Sequence, residues 1–99
     1  MKIGILQFEI EVPESGSLKD KRQVIRSLSQ RIRNTFQAAV AEVDDNEAWQ
    51  IATLGVSIVG NTHRHCEEVL NTIADYVRDS RLDAEILDVE TEVISFDPE

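Results

Sequence analysis

The apolar side chains of this chain repeat with two different periods, and the order of those periods limits the fold. Alternation of apolar and polar residues is typical of a half-buried strand, whereas a repeat of three to four residues is typical of an amphipathic helix. The chain opens with a period of two, with Leu6, Phe8 and Ile10 on one side and Gln7 and Glu9 on the other. A strand is therefore expected first.

Five more segments follow, and each has a single dominant period. Val24, Leu28 and Ile32 recur every four residues, which predicts a helix that begins near Leu18 after a capping arrangement at Ser17. In chain order, the predicted elements are a strand at 2–12, a helix at 18–36, strands at 39–44 and 51–59, a helix that ends near Ser80, and a strand at 84–96.

The order β-α-β-β-α-β predicts a single α+β domain over residues 1–99. The simplest fold with this order of elements is the ferredoxin-like arrangement, a four-stranded antiparallel sheet with two helices on one face. The other face of the sheet is then open to solvent or to a second subunit.

The charge and cysteine content exclude several classes of protein. Nineteen acidic and ten basic residues give a net charge of −9, which argues against sequence-independent coating of nucleic acid. Cys66 is the only cysteine, so no intrachain disulfide forms. The N-terminus lacks the pattern of a signal peptide, and no stretch is apolar enough to span a bilayer. We therefore expect a cytoplasmic protein with no membrane contact.

Basic residues are concentrated in the first predicted helix. Residues 19–33 hold six of the ten basic side chains and one acid. Four of the six fall within an arc of roughly 80° around the helix. Arginine presents a planar donor fork that fits phosphate and carboxylate groups. The residues predicted to bind nucleic acid or another anionic partner are Lys19, Lys21, Arg22, Arg26 and Arg33. The alternative is a solvated helix face whose arginine stems cover the edge of the core.

Two further features have a functional and a structural interpretation. Residues 83–99 carry seven acids and no Lys or Arg, which suits either the basic helix of another copy or protection of an edge strand. Trp49 is the only tryptophan. It is a candidate partner anchor, because tryptophan is enriched in binding hot spots, and the alternative is that it closes one end of the core.

Patterns for metal sites and enzymes are weak. Cys66 is in phase with the apolar side of the second helix, so His63, His65 and Cys66 do not suit zinc. The acids at 42–47 lack the glycine and spacing of a calcium loop. The sequence has neither a glycine-rich phosphate loop nor triad spacing. We expect no enzyme activity, no metal and no cofactor, and no small-molecule ligand can be identified.

Four strings together resemble the YlxP-like family of small bacterial proteins, which is a family of unknown function. They are SLKDKR at 17–22, VAEVD at 40–44, WQ-x-ATLGV at 49–56 and ILDVE at 86–90. The resemblance implies a ferredoxin-like fold, a bacterial cytoplasmic location and pairing into homodimers. It also implies a gene neighbourhood among translation initiation and ribosome maturation factors, and no catalytic residues.

These observations favour a non-enzymatic accessory factor in translation or ribosome maturation. It is expected to contact ribosomal RNA, or a ribosome-associated protein, through the basic first helix. The alternative is a homodimeric interaction or scaffold module that uses the open sheet face without binding RNA. A third hypothesis is a sensor of small ligands at a subunit junction, for which no residue selects a ligand.

Overall fold

The computed structural model describes residues 1–12, 18–44, 51–80 and 84–98. Its elements follow the predicted order β-α-β-β-α-β. They are β1 (Lys2–Glu11), α1 (Leu18–Phe36), β2 (Ala39–Asp44), β3 (Ile51–Gly60), α2 (His63–Arg78) and β4 (Glu85–Ser95). The bounds predicted from periodicity agree with these to within two residues wherever a bound was assigned.

The four strands form one antiparallel sheet in the order β2-β3-β1-β4. The central pair, β1 and β3, supplies most of the buried inner face. Its paired and buried residues include Leu6–Val56, Phe8–Leu54 and Ile10–Ala52. Both helices pack on this inner face, which confirms the ferredoxin-like fold.

The helices bury the sides that their periodicity predicts. On α1, Ile25, Leu28 and Ile32 are buried, and Val24 and Phe36 pack partly buried against the core. On α2, the buried residues are Cys66, Leu70, Ile73, Ala74 and Val77. Each spacing of three or four residues brings side chains to one side of a helix, so both helices place a continuous apolar stripe on the sheet.

Local contacts fix where α2 begins and how it meets α1. Thr62 is the N-cap of α2, and its hydroxyl accepts a hydrogen bond from the His65 backbone N–H at 3.2 Å. At the other end, the rings of Phe36 and Tyr76 meet edge to face with centroids 5.3 Å apart, which joins the two helices. Neither described helix is long and apolar enough to cross a membrane.

Each outer strand has one irregularity in its pairing with a central strand. The β1–β4 register shifts between Gln7 and Glu9, and Asp88 opposite this shift has a φ of 51°. The β2–β3 register shifts between Glu42 and Asp44. A shift of this kind re-aims side chains that strict alternation would place elsewhere. Both shifts lie at the level of the paired residues Glu9 and Thr53 on the central strands.

Candidate functional site

Three of the five basic residues predicted to bind an anion form an exposed row on α1. Lys19, Arg22 and Arg26 are exposed and are separated by three and four residues, a spacing that places side chains on the same side of a helix. They span about 10 Å along the helix axis at a rise of about 1.5 Å per residue. We call these three residues the basic ridge.

Lys21, which is also predicted to bind an anionic partner, does not lie in this exposed row. Its side chain is only 3% exposed, and its ammonium group donates a hydrogen bond to the Ile51 carbonyl oxygen at 3.1 Å. The reason is helical phase, because Lys21 precedes the buried Leu28 by seven residues and the buried Ile32 by eleven. Lys21 therefore ties the start of α1 to the start of β3 and is not available to a partner.

Arg33 is exposed but is already held by the protein. Its guanidinium donates a hydrogen bond from Nη2 to the Val40 carbonyl oxygen on β2. The contact fastens the end of α1 to an edge strand of the sheet. Arg33 lies on the same side of α1 as the basic ridge, but its hydrogen bond to Val40 serves the fold.

The cations of the basic ridge have no counterion within the described residues, where Lys19, Arg22 and Arg26 form no ion pair. On α2 the arginines are paired within the helix. Arg64 Nε lies 3.1 Å from Glu68, and Arg78 lies 3.8 Å from Asp75. Uncompensated guanidinium groups on a protein of net charge −9 are free to make bidentate contacts with an oxyanion.

The other predicted site residues lie elsewhere. Trp49 is outside the described residues, so its role as a partner anchor stays a prediction. Cys66 is fully buried, whereas His63 and His65 are exposed. Within the described ranges, no group of three His, Cys, Asp or Glu side chains is arranged to hold a metal ion.

The open face of the sheet changes from apolar to acidic along its strands. Residues paired across antiparallel strands project from the same face. From one end to the other, the rows across β3, β1 and β4 read Val59–Ile3–Ile94, Ser57–Ile5–Glu92, Gly55–Gln7–Glu90 and Thr53–Glu9–Leu87. The first row is apolar, and each of the other three rows contains one acidic residue.

Three carboxylates converge at the acidic end of this face, where the two register shifts lie. A hydrogen bond with the Asp88 side chain raises the pKa of Glu9 above its ordinary value. Partial desolvation acts in the same direction, as does repulsion from the carboxylates of Asp88 and Asp44. The three acids lie on three different strands. The alternation of apolar and polar residues within each strand does not indicate that they meet.

The sequence matches the family described as "Protein of unknown function (DUF503)" over residues 3–91. The chain belongs to this family. One protein similar to this chain is the "Uncharacterized protein YlxP" of Bacillus subtilis (strain 168), which is 28% identical over 75 residues. That alignment covers 76% of this chain and 82% of the relative. The resemblance to the YlxP-like family is thus confirmed.

Solved structures similar to this DUF503 protein are more distant. One is a de novo designed protein with a ferredoxin fold, at a TM-score of 0.46 and 11% identity, covering 97% of this chain and 88% of that one. Another is SnoaB, a cofactor-independent oxygenase from Streptomyces nogalater, at a TM-score of 0.45 and 7% identity, covering 99% and 95%. The fold assignment rests on the strand order and helix placement described above.

Proposed function

We propose that this DUF503 protein is a non-enzymatic accessory factor of the bacterial cytoplasm that contacts ribosomal RNA through the basic ridge. The observation that carries the proposal is the row of Lys19, Arg22 and Arg26. These side chains are exposed and lack a counterion within the described residues of a strongly acidic chain. An unpaired cationic row fits a polyanion.

The geometry suits a local contact with phosphates. Arg22 and Arg26 are one helical turn apart, about 6 Å along the axis. Each guanidinium can donate two parallel hydrogen bonds to one phosphate. The acidic remainder of the surface repels RNA, so binding is confined to this strip and depends strongly on salt. The gene neighbourhood implied by the YlxP-like resemblance supports the ribosome as the source of that RNA.

The experiment compares two variants with the same change in net charge. Arg22→Gln/Arg26→Gln removes two cations from the basic ridge, and Arg64→Gln/Arg78→Gln removes two paired cations from α2. Each protein is sedimented through sucrose gradients with purified ribosomal subunits at low and moderate salt. We expect salt-sensitive co-sedimentation of the wild type and of the α2 variant, and at least a tenfold weaker association of the ridge variant.

The dependence on salt adds a second readout. Removing two phosphate contacts reduces the slope of log affinity against log salt by about 2. A wild-type protein that stays at the top of the gradient at low salt would contradict the proposal. Equal loss of association in both double variants would also contradict it, because the effect would then follow net charge alone.

A second candidate function is a homodimeric interaction module, and the apolar row Val59–Ile3–Ile94 favours it. Val59 is 70% exposed and Ile94 is 40% exposed, and the two lie on either side of Ile3, so the row forms one exposed apolar strip. Sedimentation velocity at micromolar concentrations tests this function. A dimer that dissociates in Val59→Lys supports it, and a monomer at every concentration counts against it.

A further inference from the structure

The open face of the sheet contains a trough with two chemically different parts. The apolar part has a volume of about 310 Å³, and its walls include Ile5, Ala39, Ala41, Gly55 and Ser57. The acidic part has a volume of about 400 Å³, and its walls include Glu9, Asp44, Thr53, Asp88 and Glu90. Gln7 and Val43 line both parts, so the two parts adjoin.

Small residues on the middle strand create the apolar part. On β3, Ser57 lies between Ile5 and Ala39, and Gly55 lies between Gln7 and Ala41. A Cβ atom on Gly55 would lie 2.7 Å from Cγ1 of Val43, so the glycine lets that valine lie across β3. Val43 is itself 54% exposed. The result is an apolar floor that is open to solvent.

We infer that this trough binds a basic amphipathic segment of another protein. The apolar part selects aliphatic side chains, and the adjoining acidic part selects arginine or lysine next to them in the segment. From Ile5 to Glu9 the strand rises about 13 Å, which matches about four residues of extended chain. The surface therefore fits a short segment in which a group of apolar residues adjoins a group of basic residues.

The acidic residues of the trough favour a basic segment over a second copy of the chain. In a second copy, the basic ridge is the cationic surface that could meet the acidic part of the trough. The apolar side of α1 is buried in the core, however, so this helix has no apolar residues available to fill the apolar part. Two open faces stacked over the length of the trough would set carboxylates against carboxylates or against aliphatic side chains, so a dimer formed through the apolar row Val59–Ile3–Ile94 would leave the trough uncovered. Either arrangement carries a desolvation or repulsion cost that a cationic partner avoids.

The trough and the basic ridge lie on opposite sides of the molecule, since α1 covers the inner face of the sheet. The two surfaces can be tested separately for this reason. Loss of binding at the trough leaves the basic ridge intact, so a failure of this inference says nothing about the contact with RNA.

The test uses a fluorescein-labelled ten-residue peptide with three leucines in its first half and three arginines in its second half. Asp88→Asn/Glu90→Gln removes two charges from the acidic part, and asparagine tolerates the positive φ of Asp88. Glu67→Gln/Glu68→Gln makes the same change in net charge on α2. Ala41→Arg places a long cationic side chain in the apolar part at an exposed position of an edge strand.

Fluorescence anisotropy is expected to show saturable binding to the wild type and to Glu67→Gln/Glu68→Gln. At least tenfold weaker binding is expected for Asp88→Asn/Glu90→Gln, for Ala41→Arg, and for a peptide with serines in place of the leucines. Circular dichroism checks that each variant is folded.

Three results would overturn the inference. The first is no binding to the wild type, and the second is equal weakening by both pairs of acidic substitutions. The third is a concentration-dependent dimer of the wild type that Ala41→Arg abolishes, because that result would assign the trough to a second copy.

Discussion

The two helices of this DUF503 protein pack on the same face of the sheet but differ in whether their basic side chains are paired with acids. On α2, Arg64 pairs with Glu68 and Arg78 approaches Asp75, so the surface neutralises itself. On α1, the six basic residues accompany one acid, and the cations of the basic ridge form no ion pair within the described residues. A helix of the first kind needs no partner to balance its charges, whereas the second kind offers a binding surface.

The difference also separates two uses of basic side chains within α1. Lys21 and Arg33 donate hydrogen bonds to backbone carbonyl oxygens on β3 and β2, so they hold the helix to the sheet. The exposed residues of the basic ridge make no such bond to the part of the chain that the structure describes. Position around the helix, rather than residue type, decides which cations stabilise the fold and which are available to a partner.

The largest expected effect is on the inward-facing lysine. Lys21→Ala leaves the Ile51 carbonyl oxygen without this donor and removes a side chain that is only 3% exposed, so we expect a loss of about 1–3 kcal/mol in the free energy of unfolding. Chemical denaturation measures it. Lys19→Ala on the exposed side is the control, with an expected change within about 0.5 kcal/mol. Equal costs for the two substitutions would remove the distinction between the two sides of α1.

A smaller effect is expected where α1 ends against β2. Arg33→Ala removes the hydrogen bond to the Val40 carbonyl oxygen, which is partly buried, and should cost about 1 kcal/mol in the free energy of unfolding. Arg31→Ala, a few residues away and exposed, serves as the matched control. If both substitutions leave the denaturation midpoint unchanged, Arg33 belongs with the basic ridge and not with the structural cations.

The paired and unpaired arginines should respond in opposite ways to neutralisation. Arg64→Gln/Arg78→Gln breaks two exposed pairs on α2, each worth about 0.3–0.5 kcal/mol. Arg22→Gln/Arg26→Gln relieves repulsion between neighbouring cations and should leave stability unchanged or slightly higher. Thermal melts at low and high salt measure both. A destabilised ridge variant would show that Arg22 and Arg26 have counterions after all.

The smallest effect concerns the acidic end of the open face. The folded protein raises the pKa of Glu9 above 4.5, so the native state binds more protons than the unfolded state just above that pH. Stability therefore falls as pH rises through this window, and the cost persists at neutral pH. Glu9→Gln should raise the Tm at about pH 7 and leave it nearly unchanged below about pH 4. A Tm that is lower at neutral pH would show that the carboxylate is stabilising.

Much of the candidate site was also readable from the sequence. Lys19, Arg22 and Arg26 were predicted on one side of a helix, and the structure places them there. Lys21 is outside the predicted arc and is predicted to bind only through the SLKDKR string, although its spacing from Leu28 and Ile32 indicates the buried side. The bond from Arg33 to β2 had no sequence signal, because it depends on how closely α1 packs against an edge strand.

The sequence alone determined the elements, their order and their buried sides, since these follow from apolar periods of two and of three to four residues within each segment. Tertiary structure alone decided which carboxylates meet and where the trough lies. Glu9, Asp44 and Asp88 belong to three strands, and two register shifts bring them together. Periodicity within a strand cannot specify this, because a shift is a property of pairing between strands.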